Sequence, residues 1–379
     1  MDIDVAIPYA ELEQRKQRIA AAYRLERVRP TPVLPCFLPR YWLGALGVSH
    51  GDYFRSAELM LKTQLLAKKW LLEHIRCDFH DLTLYPDMCH HDEAWALGCE
   101  VEWDDPWHPW IRTHPIRDES SLRELARADV RDNRAARFAR QRREEMLRLA
   151  EGCRLRFADG ATILATDLFV IPHGTTGIFT LAADLRGPEI YLEIKLRPAF
   201  VREFLDIVTD KVIQRQEYLR GTYGLSPCDT FICDDSAAVL SADSYREFVL
   251  PYNLRYKEHF SGLCTVHCDG RANHLLPIYA DELRIGCFWS FGYQTDRART
   301  AEYLGGRAVL VGNINPMTIH TGPAEAVFQE TMAALQAFAP PGGYIIMDGS
   351  NIPPGAPPEN INAMADAAVA YDKQSSRGV

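Results

Sequence analysis

The ten cysteines of this 379-residue chain include no Cys-x-x-Cys pair and are scattered along its length. A small secreted domain stapled by disulfides would instead show many cysteines in a short chain. The spacing therefore argues against a disulfide framework. It predicts free thiols in a reducing cytoplasm.

Long apolar runs and an excess of basic residues are also missing. No run approaches the roughly 20 apolar residues that a membrane-spanning helix needs, and the acidic start Met1-Asp2-Ile3-Asp4 is not followed by the apolar segment of a secretory signal. The 42 Lys and Arg are outnumbered by 51 Asp and Glu, for a net charge of -9, whereas nucleic-acid binding requires a basic surface. We expect a cytoplasmic protein with a small-molecule substrate and neither a membrane nor a nucleic-acid partner.

The second half of the chain contains short apolar strands that alternate with helices. The strands are predicted at Asp229–Cys233, Leu263–His267, Leu283–Trp289, Ala308–Gly312 and Tyr344–Met347. Helices are predicted at 197–222, 242–260, 271–281, 296–304, 322–338 and 358–372. Such alternation is typical of a parallel sheet with crossover helices, and five units favour a closed barrel over an open sheet.

The length suits one domain over residues 1–379. A (β/α)8 TIM barrel takes about 250 residues and tolerates large insertions. Residues 1–80 are predicted to form an N-terminal extension of helices and irregular loops, and the tail from about 370 to 379 is expected to be frayed. The oligomeric state stays open, with a homodimer as one option.

Polar residues follow the predicted strands directly. They are Asp234 and Asp235, then His267, Cys268 and Asp269, then Asn313, and finally Ser350. In a barrel these strand ends share one rim, and carboxylates beside a histidine suit acid/base chemistry or a metal ion. Structural roles are the alternatives for these residues. The aspartate pair could cap a helix, His267 could be a hydrogen-bonded core residue, and Asn313 could stabilise the Asn-Pro turn.

Several segments together resemble the uroporphyrinogen decarboxylase superfamily, which contains porphyrin decarboxylases and corrinoid-linked methyltransferases that act with coenzyme M. The segments are Gly177-Ile178-Phe179-Thr180-Leu181-Ala182, Asp234-Asp235 through Ser241-Ala242-Asp243-Ser244-Tyr245, Val311-Gly312-Asn313-Ile314-Asn315-Pro316, and Pro357-Pro358-Glu359-Asn360-Ile361. The resemblance spans nearly the whole chain and implies a (β/α)8 barrel.

Of the two branches, the methyltransferases resemble the chain more closely in the general pattern of their motifs. In that branch a His-x-Cys pair and a later Cys hold zinc, which activates a thiol. His267 matches the histidine, while Asp269 and Ser350 stand where the two cysteines belong. The resemblance thus implies zinc or another divalent metal at His267 and Asp269, with Cys268 or Cys233 as alternative thiolates. The resemblance implies that a corrinoid would arrive on a partner protein or as a free cofactor, since the chain has no Asp-x-His-x-x-Gly motif.

The decarboxylase branch resembles other positions. Asp87 matches an aspartate that lies over the pyrrole nitrogens in that branch, and Arg40-Tyr41 match the end of its arginine-rich motif. The branch's active-site Tyr, Ser and late His fall on Asp184, Asp235 and Ser350. A substrate with many carboxylates needs several cationic partners. Two of these positions are aspartates in this chain, so uroporphyrinogen itself is not expected to be the substrate.

These resemblances predict an enzyme that transfers a methyl or other one-carbon group to or from a small organic substrate. The expected catalytic or metal cluster is His267, Asp269, Asp234 and Asp235, with Asp87 also catalytic. The expected substrate-binding residues are Arg40, Tyr41, Asp184, Asn313, Ser350 and His173, although His173 could equally be a plain turn residue. The rival functions are a metal-independent decarboxylase of a small or heterocyclic acid and a barrel that binds a cofactor or partner without turnover.

Overall fold

The computed structural model describes residues 2–103, 109–171, 174–224 and 229–377. Its strands are β1 (Asp2–Val5), β2 (Val101–Glu102), β3 (Trp110–Ile111), β4 (Arg154–Phe157), β5 (Thr162–Leu164), β6 (Thr230–Cys233), β7 (Cys264–His267), β8 (Cys287–Phe291), β9 (Val309–Ile314) and β10 (Tyr344–Asp348). The main sheet has the order β10-β9-β8-β7-β6, and smaller sheets join β1-β4-β5 and β2-β3.

Helices surround these strands. They are α1 (Tyr9–Tyr23), α2 (Pro39–Leu46), α3 (His50–Arg55), α4 (Ala57–His74), α5 (Asp92–Ala96), α6 (Glu119–Arg127), α7 (Arg134–Ala150), α8 (Ile178–Arg186), α9 (Glu189–Leu196), α10 (Pro198–Tyr223), α11 (Ala242–Phe248), α12 (Leu250–Phe260), α13 (Arg297–Leu304), α14 (Pro316–Thr321), α15 (Ala324–Phe338) and α16 (Pro358–Arg377). None of the helices in the described ranges is long and apolar enough to cross a membrane.

The main sheet is parallel throughout, and its five strands overlap the five predicted from the apolar runs, although β8 begins at Cys287 rather than at the predicted Leu283. A helix follows each strand before the next one begins, except between β7 and β8, where only a π-helical turn at Ile278–Glu282 intervenes. The predicted α/β class with a parallel sheet and crossover connections is therefore confirmed.

Two predicted helices differ from the observed ones. The segment 242–260 is divided at Val249 into α11 and α12, because Pro251 has no amide hydrogen and favours the first turn of a new helix. The segment 271–281 begins with turns, becomes helical only from Leu276 and continues into the π-helical turn at Ile278–Glu282.

The N-terminal region contributes a sheet that the sequence did not predict. β1 pairs in parallel with β4, and β4 pairs antiparallel with β5. The rest of the region expected as an extension, residues 1–80, contains α1 to α4. At the other terminus α16 continues to Arg377, through the segment that we expected to be frayed.

One end of the main sheet is closed by α1. Ile19 and Ala22 of this helix pack in one cluster with Cys287, Val309 and Ile345, which lie at or near the amino-terminal ends of β8, β9 and β10. The carboxyl ends of the strands point away from this packing. Polar side chains can therefore collect there without opening the core.

Candidate active site

Side-chain alternation sorts the residues at the ends of β6 and β7. Successive residues of a strand point to opposite faces, so Phe231, Cys233 and the following Asp235 share a face. In the parallel register Cys233 lies opposite His267, and Asp269 is two residues beyond that histidine. These side chains meet at the carboxyl end of the sheet.

His267 is at the centre of the group. Its Nδ1 lies 3.2 Å from the carbonyl oxygen of Trp289. That nitrogen must carry the hydrogen, since a carbonyl can only accept. Nε2 faces two carboxylates, Asp235 Oδ2 at 3.5 Å and Asp269 Oδ1 at 3.4 Å. Burial alone would lower the pKa of His267, but the hydrogen bond and charge of Asp235 and the charge of Asp269 raise it above its usual value.

Asp235 is held from three directions. Its Oδ1 accepts the amide hydrogen of Asp269 at 2.6 Å, and its Oδ2 accepts from the thiol of Cys233 at 2.9 Å. Burial acts to raise the pKa of Asp235, but the hydrogen bond and charge of His267 hold it below the usual value. Burial, followed by the charge of Asp235, raises the pKa of the Cys233 thiol well above its usual range.

Asp234 does not join this cluster. Its carboxylate is 1% exposed and accepts hydrogen bonds from Tyr245 at 2.5 Å, Tyr279 at 3.1 Å and Asn253 at 3.3 Å. Burial raises its pKa to about 6, against these hydrogen bonds. The structure thus places Asp234 between the sheet and the helices, where it binds side chains of α11, α12 and the π-helical turn.

Cys268 also lies on the far face. Its thiol is buried in the hydrophobic core and lies 3.9 Å from the carbonyl oxygen of Gly270. Burial raises the pKa of this thiol well above its usual value. The cysteine that accompanies His267 is Cys233, a residue that the strand periodicity of the sequence could have singled out.

A hydrogen-bonded chain extends from the cluster to Arg40. Ser350 donates its hydroxyl hydrogen to Asp269 Oδ2 at 2.7 Å, and Asn351 donates to the Ser350 hydroxyl at 3.0 Å. The Arg40 guanidinium in turn donates to the Asn351 carbonyl oxygen. Burial lowers the pKa of Arg40, which nevertheless stays charged at neutral pH.

A cavity of about 320 Å³ adjoins the cluster. Its walls include Arg40, Asp87, Phe54, Met88 and Phe231. The Phe231 ring stacks on the His267 imidazole with centroids 6.3 Å apart and planes at 18°. The size falls at the lower end of the range for small-ligand pockets.

Asp87 lies in the cavity wall, where two hydrogen-bond donors hold its carboxylate. Its Oδ2 accepts from the Tyr53 hydroxyl at 2.9 Å and its Oδ1 from the Cys89 amide at 2.8 Å. Gln64 donates to the Tyr53 oxygen at 3.3 Å and is pinned by the main chain of Tyr85. Burial raises the pKa of Asp87 in spite of these hydrogen bonds.

Two predicted substrate-binding residues have other partners. The Tyr41 hydroxyl donates to the Ala356 carbonyl at 2.9 Å, and its ring lines a separate groove. The Asn313 side chain is fully buried, accepts from Arg297 at 2.9 Å and lies 3.3 Å from the carbonyl of Thr295. It contacts the loop after β8, whereas the plainer reading of this residue assigned it to the Asn-Pro turn.

Asp184 lies near the cavity but apart from His267. Its carboxylate is 3.8 Å from Nδ1 of His91, and its main-chain carbonyl accepts from His114 at 2.7 Å. The predicted binding residue His173 lies outside the described residues.

Asp348 follows the predicted strand Tyr344–Met347 but was not among the predicted site residues. This carboxylate at the end of β10 is fully buried and its Oδ1 accepts the Cys36 amide hydrogen at 2.8 Å, while Oδ2 has no hydrogen-bond partner among the residues that the structure describes. Burial raises its pKa to about 7. A strand that is apolar up to its last residue was the only sequence signal for a buried acid at this point.

The donor set at His267 fits a borderline metal such as zinc. Cys233 Sγ, an Asp235 oxygen and a His267 nitrogen all lie within 4.8 Å of one another. Zinc accepts sulfur, nitrogen and carboxylate oxygen together. The hydrogen bond from Nδ1 to a main-chain carbonyl is the outer contact that usually orients a metal-binding histidine.

The fold and the site define an α/β protein with its polar chemistry at the carboxyl ends of a parallel sheet. The family model for uroporphyrinogen decarboxylase (URO-D) matches residues 14–371, and the chain belongs to this family. The resemblance inferred from the sequence is thereby confirmed.

The similar proteins include both methyltransferases and decarboxylases. The chain is 27% identical over 285 residues to a methylated-thiol–coenzyme M methyltransferase of Methanosarcina mazei, covering 73% of this chain and 69% of the relative. It is 26% identical over 328 residues to a uroporphyrinogen decarboxylase of Xanthomonas campestris pv. campestris, covering 78% and 80%. A solved methyltransferase from Methanosarcina mazei is 22% identical with a TM-score of 0.69, covers 94% of this chain and 98% of its own, and shares the fold.

Proposed function

We propose that this protein is a (β/α)8-barrel enzyme that transfers a methyl or other one-carbon group to or from a small organic substrate. The observation that carries the proposal is the position of His267, whose Nε2 faces Asp235 and Asp269 beside a cavity of small-ligand size. The methyltransferase relative in the same family supports this choice of reaction.

A closed barrel is supported by strand-like segments outside the five-stranded sheet. Val33 forms a parallel bridge to Ile346 of β10, the edge strand, and Leu84 forms a parallel bridge to Phe169. With β6 to β10, the segments around Val33, Leu84 and Phe169 bring the number of parallel segments to eight, the number that a (β/α)8 barrel requires.

In this proposal the cavity holds the substrate. Arg40 binds an anionic group, Asp87 binds a hydrogen-bond donor, and Phe231 shields the imidazole from water. A divalent metal held at His267 would supply a Lewis acid that favours the deprotonated form of a thiol. A corrinoid protein is the proposed partner that exchanges the methyl group.

The transfer needs one bond made and one bond broken. A sulfur nucleophile forms a bond to the methyl carbon as the bond from that carbon to its donor atom breaks, and the donor atom keeps the electron pair. The thiol proton has to leave before the attack. Asp269, which is 3.4 Å from His267 Nε2 and partly exposed, is placed to accept that proton and pass it to solvent.

Two measurements test the proposal. Elemental analysis of the purified, unsupplemented protein should find close to one equivalent of a transition metal, lost in His267→Ala. The wild-type protein should also demethylate free methylcobalamin in the presence of 2-mercaptoethanesulfonate, followed by the change in corrinoid absorbance. A folded protein that takes up no added metal and shows no methyl transfer would refute the proposal.

Decarboxylation is the second candidate, and Asp87 is the observation that favours it. This buried carboxylate lines the cavity, accepts hydrogen bonds from Tyr53 and the Cys89 amide, and has no cation as a partner in the part of the chain that the structure describes. It is suited to hold an N–H group of a heterocyclic acid while carbon dioxide leaves. Release of carbon dioxide that is unaffected by chelators and lost in Asp87→Asn would favour this reaction.

A further inference from the structure

We propose that Cys233, Asp235 and His267 form a zinc site in which the strand before the histidine strand supplies the thiolate. The inference rests on the proposed function only in placing a metal at His267. It replaces the ligand pair that the sequence suggested, His267 with Asp269, and it assigns a role to a cysteine outside the His-x-Cys position.

The three ligand atoms already converge. Cys233 Sγ lies 2.9 Å and His267 Nε2 3.5 Å from the same oxygen, Asp235 Oδ2, and all three atoms lie within 4.8 Å of one another. A tetrahedral zinc ion with bonds of about 2.0–2.3 Å holds its ligand atoms about 3–4 Å apart. Small side-chain movements therefore bring the observed positions to a zinc geometry.

The backbone fixes this convergence. Cys233 and His267 are cross-strand partners in the parallel register of β6 and β7, and Asp235 is two residues after Cys233 on the same face. Asp235 Oδ1 is occupied by the amide of Asp269 at 2.6 Å, which turns Oδ2 towards the cluster. The strand positions and one main-chain hydrogen bond thus preset the ligands.

The surroundings of the three ligands resemble the environment of a metal. The carbonyl of Trp289 holds Nδ1 of His267 and leaves Nε2 as the coordinating nitrogen. The rings of Phe231 and Trp289 flank the imidazole, with centroids at 6.3 Å and 5.5 Å. Such an apolar shell limits the access of water and strengthens electrostatic interactions inside it.

The ligand types select the metal. Thiolate favours zinc and similar borderline ions over magnesium or calcium, which prefer oxygen ligands. Three protein ligands leave a fourth position open, as in catalytic zinc sites. Asp269 lies next to the three ligands, with Oδ1 3.4 Å from His267 Nε2 and Oδ2 bound by Ser350.

The proton on the Cys233 thiol has a defined fate when metal binds. In the structure the thiol donates to Asp235, and the metal would take the place of that hydrogen between sulfur and oxygen. Metal binding to a protonated thiol releases the proton to solvent. No oxidant or reductant is needed.

Cobalt(II) is the probe that tests the ligand set. Metal-free protein is titrated with cobalt(II) chloride while the near-ultraviolet charge-transfer band of a cobalt–thiolate bond is recorded. The wild type should show the band at a single equivalent. Cys233→Ser should lose it, whereas the matched variant Cys268→Ser, which changes a thiol in the core nearby, should keep it. Circular dichroism and thermal unfolding confirm that each variant is folded.

The outcomes separate this inference from the proposed function. Cobalt bound without the band, or a band that survives in folded Cys233→Ser, would overturn the cysteine assignment while the methyl-transfer assay still decides the function. A wild type with the band that transfers no methyl group would refute the function and leave the site standing. A folded wild type that binds no cobalt overturns the site. If Cys233→Ser does not fold, the loss of the wild-type band after alkylation by iodoacetamide, with Cys233 identified as the modified residue, serves as the second test.

Discussion

The imidazole of His267 is oriented by the main-chain carbonyl of Trp289, which accepts the Nδ1 hydrogen over 3.2 Å. This contact joins the ends of β7 and β8 and fixes which ring nitrogen faces Asp235 and Asp269. A main-chain acceptor does not titrate, so the orientation holds at any pH at which the fold is intact. The pairing of β7 with β8 therefore determines which ring nitrogen of His267 faces the two carboxylates.

Replacement of His267 by alanine should lower the methyl-transfer rate by about 100-fold or more, since a positioned acid/base or metal-binding group contributes about that much. The rate is measured with methylcobalamin and 2-mercaptoethanesulfonate. His259→Ala is the matched control, because His259 pairs with Glu217 on the surface. Wild-type activity in folded His267→Ala would remove this residue from the site.

The two adjacent aspartates should behave differently when each is changed to asparagine. Asp235→Asn should impair metal uptake and activity with little effect on stability, because its side chain is partly exposed. Asp234→Asn should reduce the free energy of unfolding by about 1–3 kcal/mol, because it disturbs the buried acceptor of Tyr245 and Tyr279. Urea unfolding and metal analysis of both variants check the distinction. Equal effects on metal uptake would contradict it.

Much of the main sheet could be predicted because its strands are short, apolar and bounded by polar residues. The burial of β9 and β10 is continuous, as expected for strands covered on both faces. The pairing of β1 with β4 could not be predicted in this way. It joins Asp2–Val5 to Arg154–Phe157, and a four-residue segment contains no information about a partner about 150 positions away.

Of the predicted site residues, the structure brings together His267, Asp235, Asp269 and Ser350 but not Asp234 or Cys268. The sequence prediction placed Asp234 with Asp235, and Cys268 with His267, because these residues are adjacent in the sequence. The period of two along a strand separates each of these pairs, and the observed contacts follow that period. Cys233 and Asp235 share a face, so the alternation was the available signal for the cysteine that lies beside the histidine.

Replacement of Tyr53 by phenylalanine should raise the pKa of Asp87 further, because a donor to the carboxylate is lost and such a hydrogen bond contributes about 1.5–3 kcal/mol. The remaining donor is the Cys89 amide. Carboxyl ¹³C NMR during a pH titration measures the pKa, with Asp87→Asn identifying the signal.

Tyr41→Phe is the control for that titration. Its hydroxyl binds the Ala356 carbonyl and has no contact with Asp87, so the Asp87 signal should titrate as in the wild type. An unchanged titration in Tyr53→Phe would show that the phenol does not stabilise the carboxylate. A change in both variants would indicate a general rearrangement of the N-terminal region.

Asp348 should make the protein less stable as the pH rises. Its folded-state pKa, raised by burial to about 7, exceeds the ordinary value of 3.8. Between these values the folded protein keeps a proton that the unfolded chain has released. Folding stability therefore falls through that window and reaches its lower level above about pH 7.

Asp348→Asn cannot ionise and should remove this dependence. Its Oδ1 can still accept the Cys36 amide hydrogen, so urea unfolding should show the variant gaining stability over the wild type between about pH 5 and pH 8. Asp366→Asn is the control with the opposite sign, because the hydrogen bond from Arg76 lowers the pKa of Asp366. That surface carboxylate stabilises the fold above its unfolded pKa, and its loss should cost a little stability at the higher pH. A difference between Asp348→Asn and the wild type that does not vary with pH would mean that Asp348 does not titrate in this window, and that the unpartnered Oδ2 is accommodated without taking up a proton.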